Sequence, residues 1–507
     1  MKNPLIRLVF LVLLGNYSFA QMTQPLPGSE PHRPQYHFSP KAHWMNDPNG
    51  LVYHNGTYHL FFQYYPDGMV WGPMHWGHAT SQDLVRWQEQ PIALYPDNLG
   101  YIFSGSAVVD VNNTSGFGKD GKVPLVAIFT HHDAELEKKK SDRFQYQSLA
   151  YSLDDGKTWT KYAGNPVLPN PGITDFRDPK VRWYEPQKKW IMTLATKDHI
   201  TFYSSPDLKS WTRESALGQD FGAHGGVWEC PDLLLFQHNG KQVWVLLVSI
   251  NPGGPNGGSA TQYFVGDFDG KIFKPYSTDI KWMDYGTDNY AGVTFANTGN
   301  RTILIGWMSN WQYANQVPTS PWRSAMTVAR TLGLKEINGS FLLISTPVKE
   351  LDALNGKPVL LRNLTVKGSQ ELTAKTGNLN GLFRLDLTAS NSTDFAIVLA
   401  NEKGQELEVG YDKTANQYYI DRSRSGKTDF EKGFGKRHTA PRLTPDAALS
   451  LTLLADVASV ELFADGGLTV MTDIFFPDQP MNRLFIKSAK GLTVSELKVT
   501  PLHLSKP

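Results

Sequence analysis

What most restricts this 507-residue chain is a unit that recurs five times. Each unit opens on a polar residue, enters a short β-branched or aromatic run, turns, and returns in a second run. Asp47 precedes Leu51-Val52-Tyr53, a turn at Asn55-Gly56, and Tyr58 to Tyr64; Ser104 precedes Ala107-Val108-Val109 and then Val123 to Thr130. Asp178 precedes Val181-Arg182-Trp183-Tyr184 and Trp190 to Thr196, while Glu229 precedes Leu233 to Phe236, a turn at Asn239-Gly240, and Val243 to Ile250. Asp288 precedes Gly292 to Phe295 and Thr302 to Trp307, so the anchors stand 57, 74, 51 and 59 residues apart. A second echo runs beside the first: Ser81-Gln82-Asp83-Leu84 leads to Trp87, Ser152-Leu153-Asp154-Asp155-Gly156 to Trp159, and Ser205-Pro206-Asp207-Leu208 to Trp211. Short runs bounded by Gly, Pro, Asn and Asp, with little helical periodicity before Pro347, read as all-β. Units of this size are those of four-stranded blades around an axis, so a five-bladed β-propeller is expected.

Equivalent strand starts in a propeller converge on the axis. Asp47, Ser104, Asp178, Glu229 and Asp288 should then meet at one mouth. An Asp at a strand start can simply cap a turn. Four acids at five such positions are harder to explain that way, because like charges brought together disfavour one another's ionised form.

After Pro347 the pattern changes. Phe383, Leu385 and Leu387 alternate with Arg384 and Asp386, and Leu449, Leu451 and Leu453 alternate likewise. Further strands are expected at Ala396–Leu399, Leu407–Tyr411, Tyr418–Asp421 and Val460–Phe463, with a hairpin turn at Asp465-Gly466-Gly467. Seven or more short strands in ~150 residues suggest a β-sandwich without an acid ring of its own. The propeller is placed at 33–347 and the sandwich at 358–507. Residues 1–20 read as an export signal: Lys2 and Arg7 flank an apolar run from Leu8 to Leu14, and Ser18-Phe19-Ala20 sets cleavage before Gln21. The run is shorter than the ~20 residues a bilayer span needs, so no membrane anchor is expected and the mature protein should be periplasmic or extracellular.

Charge narrows the partners. The formal net charge is +1, which offers no basic footprint for nucleic acid. The lone cysteine, Cys230, excludes an intrachain disulfide, and a packing role suits it better than nucleophilic chemistry, which would want a dedicated histidine base. His75, His78, His131 and His132 lack a third ligand at zinc spacing, so neither a metal nor another cofactor is expected.

The acids sit in Trp44-Met45-Asn46-Asp47-Pro48-Asn49-Gly50, Phe176-Arg177-Asp178-Pro179 and Trp228-Glu229-Cys230-Pro231-Asp232. These motifs, in this order, resemble those of glycoside hydrolase family 32, the invertases, inulinases and levanases that act on β-fructofuranosides. Gln63-Tyr64-Tyr65-Pro66, Trp71 to His78, Phe103 to Ala107 and Trp322 to Met326 agree with it, and the likeness covers nearly all of the chain after residue 20. The resemblance implies Asp47 as nucleophile, Glu229 as general acid/base and Asp178 as a transition-state stabiliser holding sugar hydroxyls. It also implies that Asn46, Gln63, Trp71, Ser104, Arg177 and Trp322 line the first sugar subsite. Asp284 and Asp288 resemble a segment near the pocket rim and stay outside the catalytic set. For that chemistry Glu229 has to carry a proton near neutral pH, helped by burial and neighbouring acids, while Arg177 beside Asp178 should keep Asp178 ionised. The stretches Asn251 to Gly258 and Gln262 to Phe268 look more like exo-acting inulinases and levanases than dedicated sucrases, so the resemblance points to a fructan β-fructosidase with fructan or sucrose as substrate. An endo-levanase, a fructosyltransferase with the same residues and a fructan-binding protein are the alternatives; the three retained acids argue against the last.

Overall fold

The computed structural model describes residues 30–503, so the export signal expected over 1–20 lies outside the described residues. Five antiparallel sheets follow one another as the sequence repeat requires. The first contains His43–His54, Thr57–Tyr65, His75–Ser81 and Gln88–Leu94; the second Tyr101–Val109, Leu125–His132, Gln145–Ser152 and Thr160–Lys161. The third contains Phe176–Tyr184, Lys189–Thr196, His199–Ser205 and Thr212–Leu217, and the fourth Val227–His238, Lys241–Asn251, Ala260–Phe268 and Phe273–Pro275. Tyr290–Thr294, Thr302–Met308, Arg330–Ile337 and Ser340–Pro347 make the fifth. Trp322–Arg323 runs parallel to His43 and Trp44 and latches the last blade to the first.

Blade strands read as continuous apolar runs because both faces are covered. In blade three, Trp190, Met192 and Leu194 pack towards blade two, with Val126, Ile128 and Leu149. The intervening Ile191 and Ala195 pack towards blade four, with Trp228, Leu233 and Leu246. That is the period-two alternation of a strand, here with two apolar sides. Each Ile, Leu, Val or Met side chain buried here contributes ~1.5–3 kcal/mol.

The second echo is one outer turn used three times. Ser81, Ser152 and Ser205 donate through Oγ to Asp83, Asp154 and Asp207 at 3.0, 2.8 and 3.1 Å. Each aspartate then accepts from backbone N–H groups of its own turn. The indoles of Trp87, Trp159 and Trp211 donate back to Leu84, Gly156 and Leu208 carbonyls.

All five inner strands break register at the same level. Two residues face one across the ladder at Asn46-Asp47, Phe103-Ser104, Asp178-Pro179, Cys230-Pro231 and Ala291-Gly292. Such a bulge bends a strand and re-aims its side chains. It also tolerates proline, which lacks the ladder donor, and Pro48, Pro179 and Pro231 stand within or directly after bulges.

Beyond Pro347, strands form at Phe383–Ala389, Phe395–Ala400, Glu406–Asp412, Gln417–Arg424, Leu449–Asp456 and Ser459–Ala464, as the alternation anticipates. The hairpin at Asp465-Gly466-Gly467 has φ of 50, 71 and 86°. Two long strands, Val359–Glu371 and Arg483–Pro501, pair with each other and serve both faces. The first half of Arg483–Pro501 pairs with Phe395–Ala400 and the second half with Phe383–Ala389, so the two layers of the sandwich share a bent strand pair. Leu385, Leu387, Ile397, Val409, Ile420, Leu453 and Leu462 fill the space between them.

The sandwich is joined to the propeller through buried ions and backbone. Arg330 of blade five reaches Asp284 at 2.9 Å and also pairs with Glu461 of the sandwich, all three being almost wholly buried. Tyr285 and Asp288 donate their N–H groups to Val470 and Thr472 carbonyls. Between them Gly286 is obligatory, since a Cβ there would lie 2.1 Å from the Thr472 nitrogen.

Candidate active site

The bulged strands bring Asp47, Asp178 and Glu229 to one mouth. Asp47 Oδ1 accepts from Asn46 Nδ2 at 3.0 Å and Oδ2 from Ser104 Oγ at 2.8 Å. Asn46 is itself fixed, because the Trp44 indole donates to its Oδ1 at 2.7 Å. Asp178 stands at φ 62° with its N–H on Thr130 Oγ1, and its Oδ2 accepts the Cys230 N–H at 3.1 Å. The Cys230 sulfur lies 3.6 Å from Oδ2 of both Asp47 and Asp178. Cys230 is therefore more than packing: its backbone and thiol are the direct bridge between two acids.

Burial, and then Glu229, push Asp47 above its usual carboxylate range against the hydrogen bonds of Asn46, Ser104 and Cys230. Burial raises Asp178 to about 7; Arg177 opposes it, and Glu229 and Asp47 reinforce it. This corrects the expectation that Arg177 keeps Asp178 ionised. Adjacent strand residues point apart, and the Arg177 guanidinium approaches Asp178 only to 4.0 Å. It donates instead to Glu229 Oε1 through Nε at 3.2 Å and Nη2 at 2.9 Å, and through Nη1 to Asp175. Glu229 Oε2 accepts from the Tyr290 hydroxyl.

The bulges also correct the register of the repeat. Arg177, Glu229 and Tyr290 are the last paired residues before the bulges of blades three, four and five. Asp178, Cys230 and Ala291 follow them with φ of 62, 47 and 52°. Glu229 thus matches Arg177 rather than Asp178, and the matched Arg177 and Tyr290 both hydrogen-bond to it. Asp288 is not in the ring. It is fully buried against the sandwich, where Arg422 donates to it at 2.7 Å and the Ile474 N–H at 2.9 Å.

Of the other expected subsite residues, Gln63 lies opposite the Asn46-Asp47 bulge with Nε2 on the Ile102 carbonyl at 3.0 Å. Trp71 is 40% exposed at the rim, edge-on to Phe103 at 6.0 Å. Trp322 is placed elsewhere: 3% exposed, it is covered by the Arg33 guanidinium at 4.7 Å and lines a small cavity with Met308, Ala458 and Phe476 at the sandwich seam. Its strand latches the ring, which turns the indole into the seam. Trp311 is half-buried and stacks at 5.8 Å on Trp44, the indole that holds Asn46. Tyr290 carries no charge and stands two residues after Asp288, so an acid-anchored repeat does not single it out. No sequence pattern separates Trp311 from Trp322.

The histidines are absorbed into packing. His78 meets His59 at 3.1 Å and stacks on Phe61, and burial lowers it to about 3. His131 meets Ser148 at 2.8 Å, and His132 stacks on Phe103 at 4.2 Å. Among the described residues no group of three His, Cys, Asp or Glu side chains could hold a metal ion. The site offers carboxylate chemistry: one acid held by neutral donors, one under a guanidinium and a phenol, and one held by the Cys230 N–H.

Comparison with known proteins places this arrangement. Residues 37–347 match the description Glycosyl hydrolases family 32 N-terminal domain, and residues 350–501 match Glycosyl hydrolases family 32 C terminal. A levanase of Bacillus subtilis (strain 168) is 47% identical over 519 residues, spanning 99% of this chain and 75% of that protein. An extracellular exo-inulinase of Aspergillus awamori is 43% identical over 525 residues, 96% of each chain. A crystal structure of exo-inulinase from Aspergillus awamori superposes with a TM-score of 0.88 at 40% identity, covering 94% of this chain and 99% of that one.

Proposed function

This chain belongs to glycoside hydrolase family 32, and on that premise we propose that it is a fructan β-fructosidase, releasing terminal non-reducing β-D-fructofuranosyl units from levan and inulin and also cleaving sucrose. The observation that carries this reading is the pocket itself, in which Asp47 and Asp178 share Cys230 while Glu229 lies under Arg177 and Tyr290.

A fructofuranosyl bond breaks through an oxocarbenium-like state. Asp47 is the nucleophile: Asn46 and Ser104 each hold one of its oxygens, which fixes the carboxylate plane for attack on the anomeric carbon and formation of a fructosyl ester. Glu229 gives its proton to the departing oxygen, then takes one from the water that cleaves the ester. Such retaining pairs stand ~5–5.5 Å apart. Asp178 holds sugar hydroxyls, and its hydrogen bond from the Cys230 N–H keeps the carboxyl facing the pocket. Arg177 orients Glu229 rather than Asp178. Gln63, Trp71 and Ser104 complete the first subsite in this reading, and Trp311 replaces Trp322 as its indole.

We also read the protein as exported. The Aspergillus relative is described as extracellular, and among the described residues no helix is long and apolar enough to cross a membrane.

The test is purified protein on levan, inulin and sucrose, with products resolved by chain length. Fructose released one unit at a time supports the reading; internal fragments from levan would make it an endo-levanase, longer products at high sucrose a fructosyltransferase, and no release from any of the three would overturn it.

A further inference from the structure

We infer that Arg422, a residue of the sandwich, is a positioning residue for the active site, acting through Tyr313 on the two segments that hold Asp47 and Glu229. The inference rests on the catalytic assignment proposed above. Arg422 is fully buried. Its Nε donates to the Phe434 carbonyl at 2.7 Å and its Nη1 to the Ile474 carbonyl at 2.9 Å, so the sandwich fixes the guanidinium plane. Across the seam, Nη1 reaches Asp288 Oδ2 at 2.7 Å and Nη2 reaches the Tyr313 hydroxyl at 3.1 Å. Tyr313 closes the triangle by donating to Asp288 Oδ1 at 2.6 Å. Asp473 and His438, paired at 2.7 Å, also lie at this corner, and Glu431 accepts from Gln312 beside Tyr313 at 3.2 Å.

Two short connections lead from that triangle to the chemistry. Asp288 is two residues before Tyr290, whose hydroxyl donates to Glu229 Oε2. Tyr313 is two residues after Trp311, which stacks on Trp44; the Trp44 indole holds Asn46, and Asn46 holds Asp47. Asn310 joins the two arms, donating to the Thr287 carbonyl at 2.8 Å. Asp288 is tied to the sandwich a second time through the Thr472 carbonyl and the Ile474 N–H, so a propeller segment on each side of the pocket is held against the sandwich. A guanidinium suits the task because its planar fork serves several acceptors at once.

The test compares Tyr313→Phe and Arg422→Lys with Arg442→Lys, whose arginine pairs with Asp465 inside the sandwich. Tyr313→Phe keeps the ring and removes only the hydroxyl, and so remains informative if Arg422→Lys does not fold. Small displacements of catalytic groups cost up to ~10²-fold, so kcat on sucrose should fall about 10-fold in both relay variants while KM stays within about twofold. Weaker support from Asn46 favours protonated Asp47, whose other neighbours are Ser104, Cys230, Asp178 and Glu229, so the acidic limb of the kcat/KM profile should move to higher pH. Arg442→Lys should lower Tm and leave the profile in place. If the relay variants lose only Tm and keep the wild-type kcat and pH profile, the inference is overturned. An inactive wild type would instead overturn the function proposed above.

Discussion

A His37→Gln variant removes a titrating group from the seam between propeller and sandwich. His37 is buried with Nδ1 2.8 Å from Asp456 Oδ2 and Nε2 2.8 Å from Glu461 Oε1. A neutral imidazole has one donor and one acceptor, so two carboxylates on opposite ring nitrogens demand the imidazolium. Burial works against that charge, but the hydrogen bonds to Asp456 and Glu461 win and raise His37 from 6.5 to about 9. At ~1.4 kcal/mol per pH unit, the difference represents about 3 kcal/mol of pH-linked stability. Below pH 6.5 the imidazole is protonated in the folded and the unfolded chain, and the contribution is whole. Between pH 6.5 and 9 the unfolded chain releases its proton first, and the contribution drains away. The other edge comes from Glu461: burial raises it, Arg330 and His37 more than compensate, and it stands at about 2, so its contribution is whole above pH 4.5 and lost as pH falls through 2. The assay is thermal unfolding of wild type and His37→Gln at matched scan rates from pH 5 to 9.5. One kcal/mol moves Tm by ~2–4 °C in a 150–250-residue domain and by less in a larger unit, so the variant should melt about 3–6 °C lower at pH 6. That gap should close by pH 9.5. A gap of the same size at both ends would refute the charged clamp.

Three further outcomes are expected. Glu229→Ala should lower kcat by ~10²–10⁴-fold; a kcat that stays at the wild-type level contradicts the acid/base role. Trp311→Ala should raise KM for sucrose with little change in Tm, while Trp322→Ala should cost ~3–5 kcal/mol of stability and leave KM alone; the reverse pattern would return the pocket wall to Trp322. Cys230 is buried, and burial, Asp178 and Asp47 all hold its thiol well above the usual value. A thiol reagent should therefore find nothing in native protein and one sulfhydryl in denaturant, and rapid labelling of the native form would contradict the closed bridge.

The blades were legible because each is a local pattern: polar start, apolar run, turn, apolar run. The sandwich strands were legible from simple alternation. The acids of blades one, three and four were legible as polar starts of the repeat and from the motifs around them, Trp44 to Gly50, Phe176 to Pro179 and Trp228 to Asp232. What the repeat could not reveal was the level of each bulge to the residue. A slip of one exchanges the face a side chain takes, which is why Glu229 seemed to match Asp178 and why Asp288 seemed to join the ring. The fates of Asp288 and Trp322 depend on residues more than 100 positions away in sequence, Arg422 on Asp288 and Arg33 over Trp322. No spacing encodes such partners. Tyr290 was in reach, since it opens the fifth inner strand as Arg177 and Glu229 lead into their bulges.

The shared bulge separates scaffold from chemistry. Each inner strand offers a socket, a step at which two residues face one across the ladder, and in blades three, four and five its first residue takes a left-handed φ. Asn46-Asp47, Phe103-Ser104, Asp178-Pro179, Cys230-Pro231 and Ala291-Gly292 are five fillings of that socket. A propeller of this kind can change its reaction by exchanging occupants while leaving its blades untouched. The sockets of blades two, four and five carry no charge, and that of blade five, filled by Ala291-Gly292, is the natural position for grafting a fourth functional group onto the mouth.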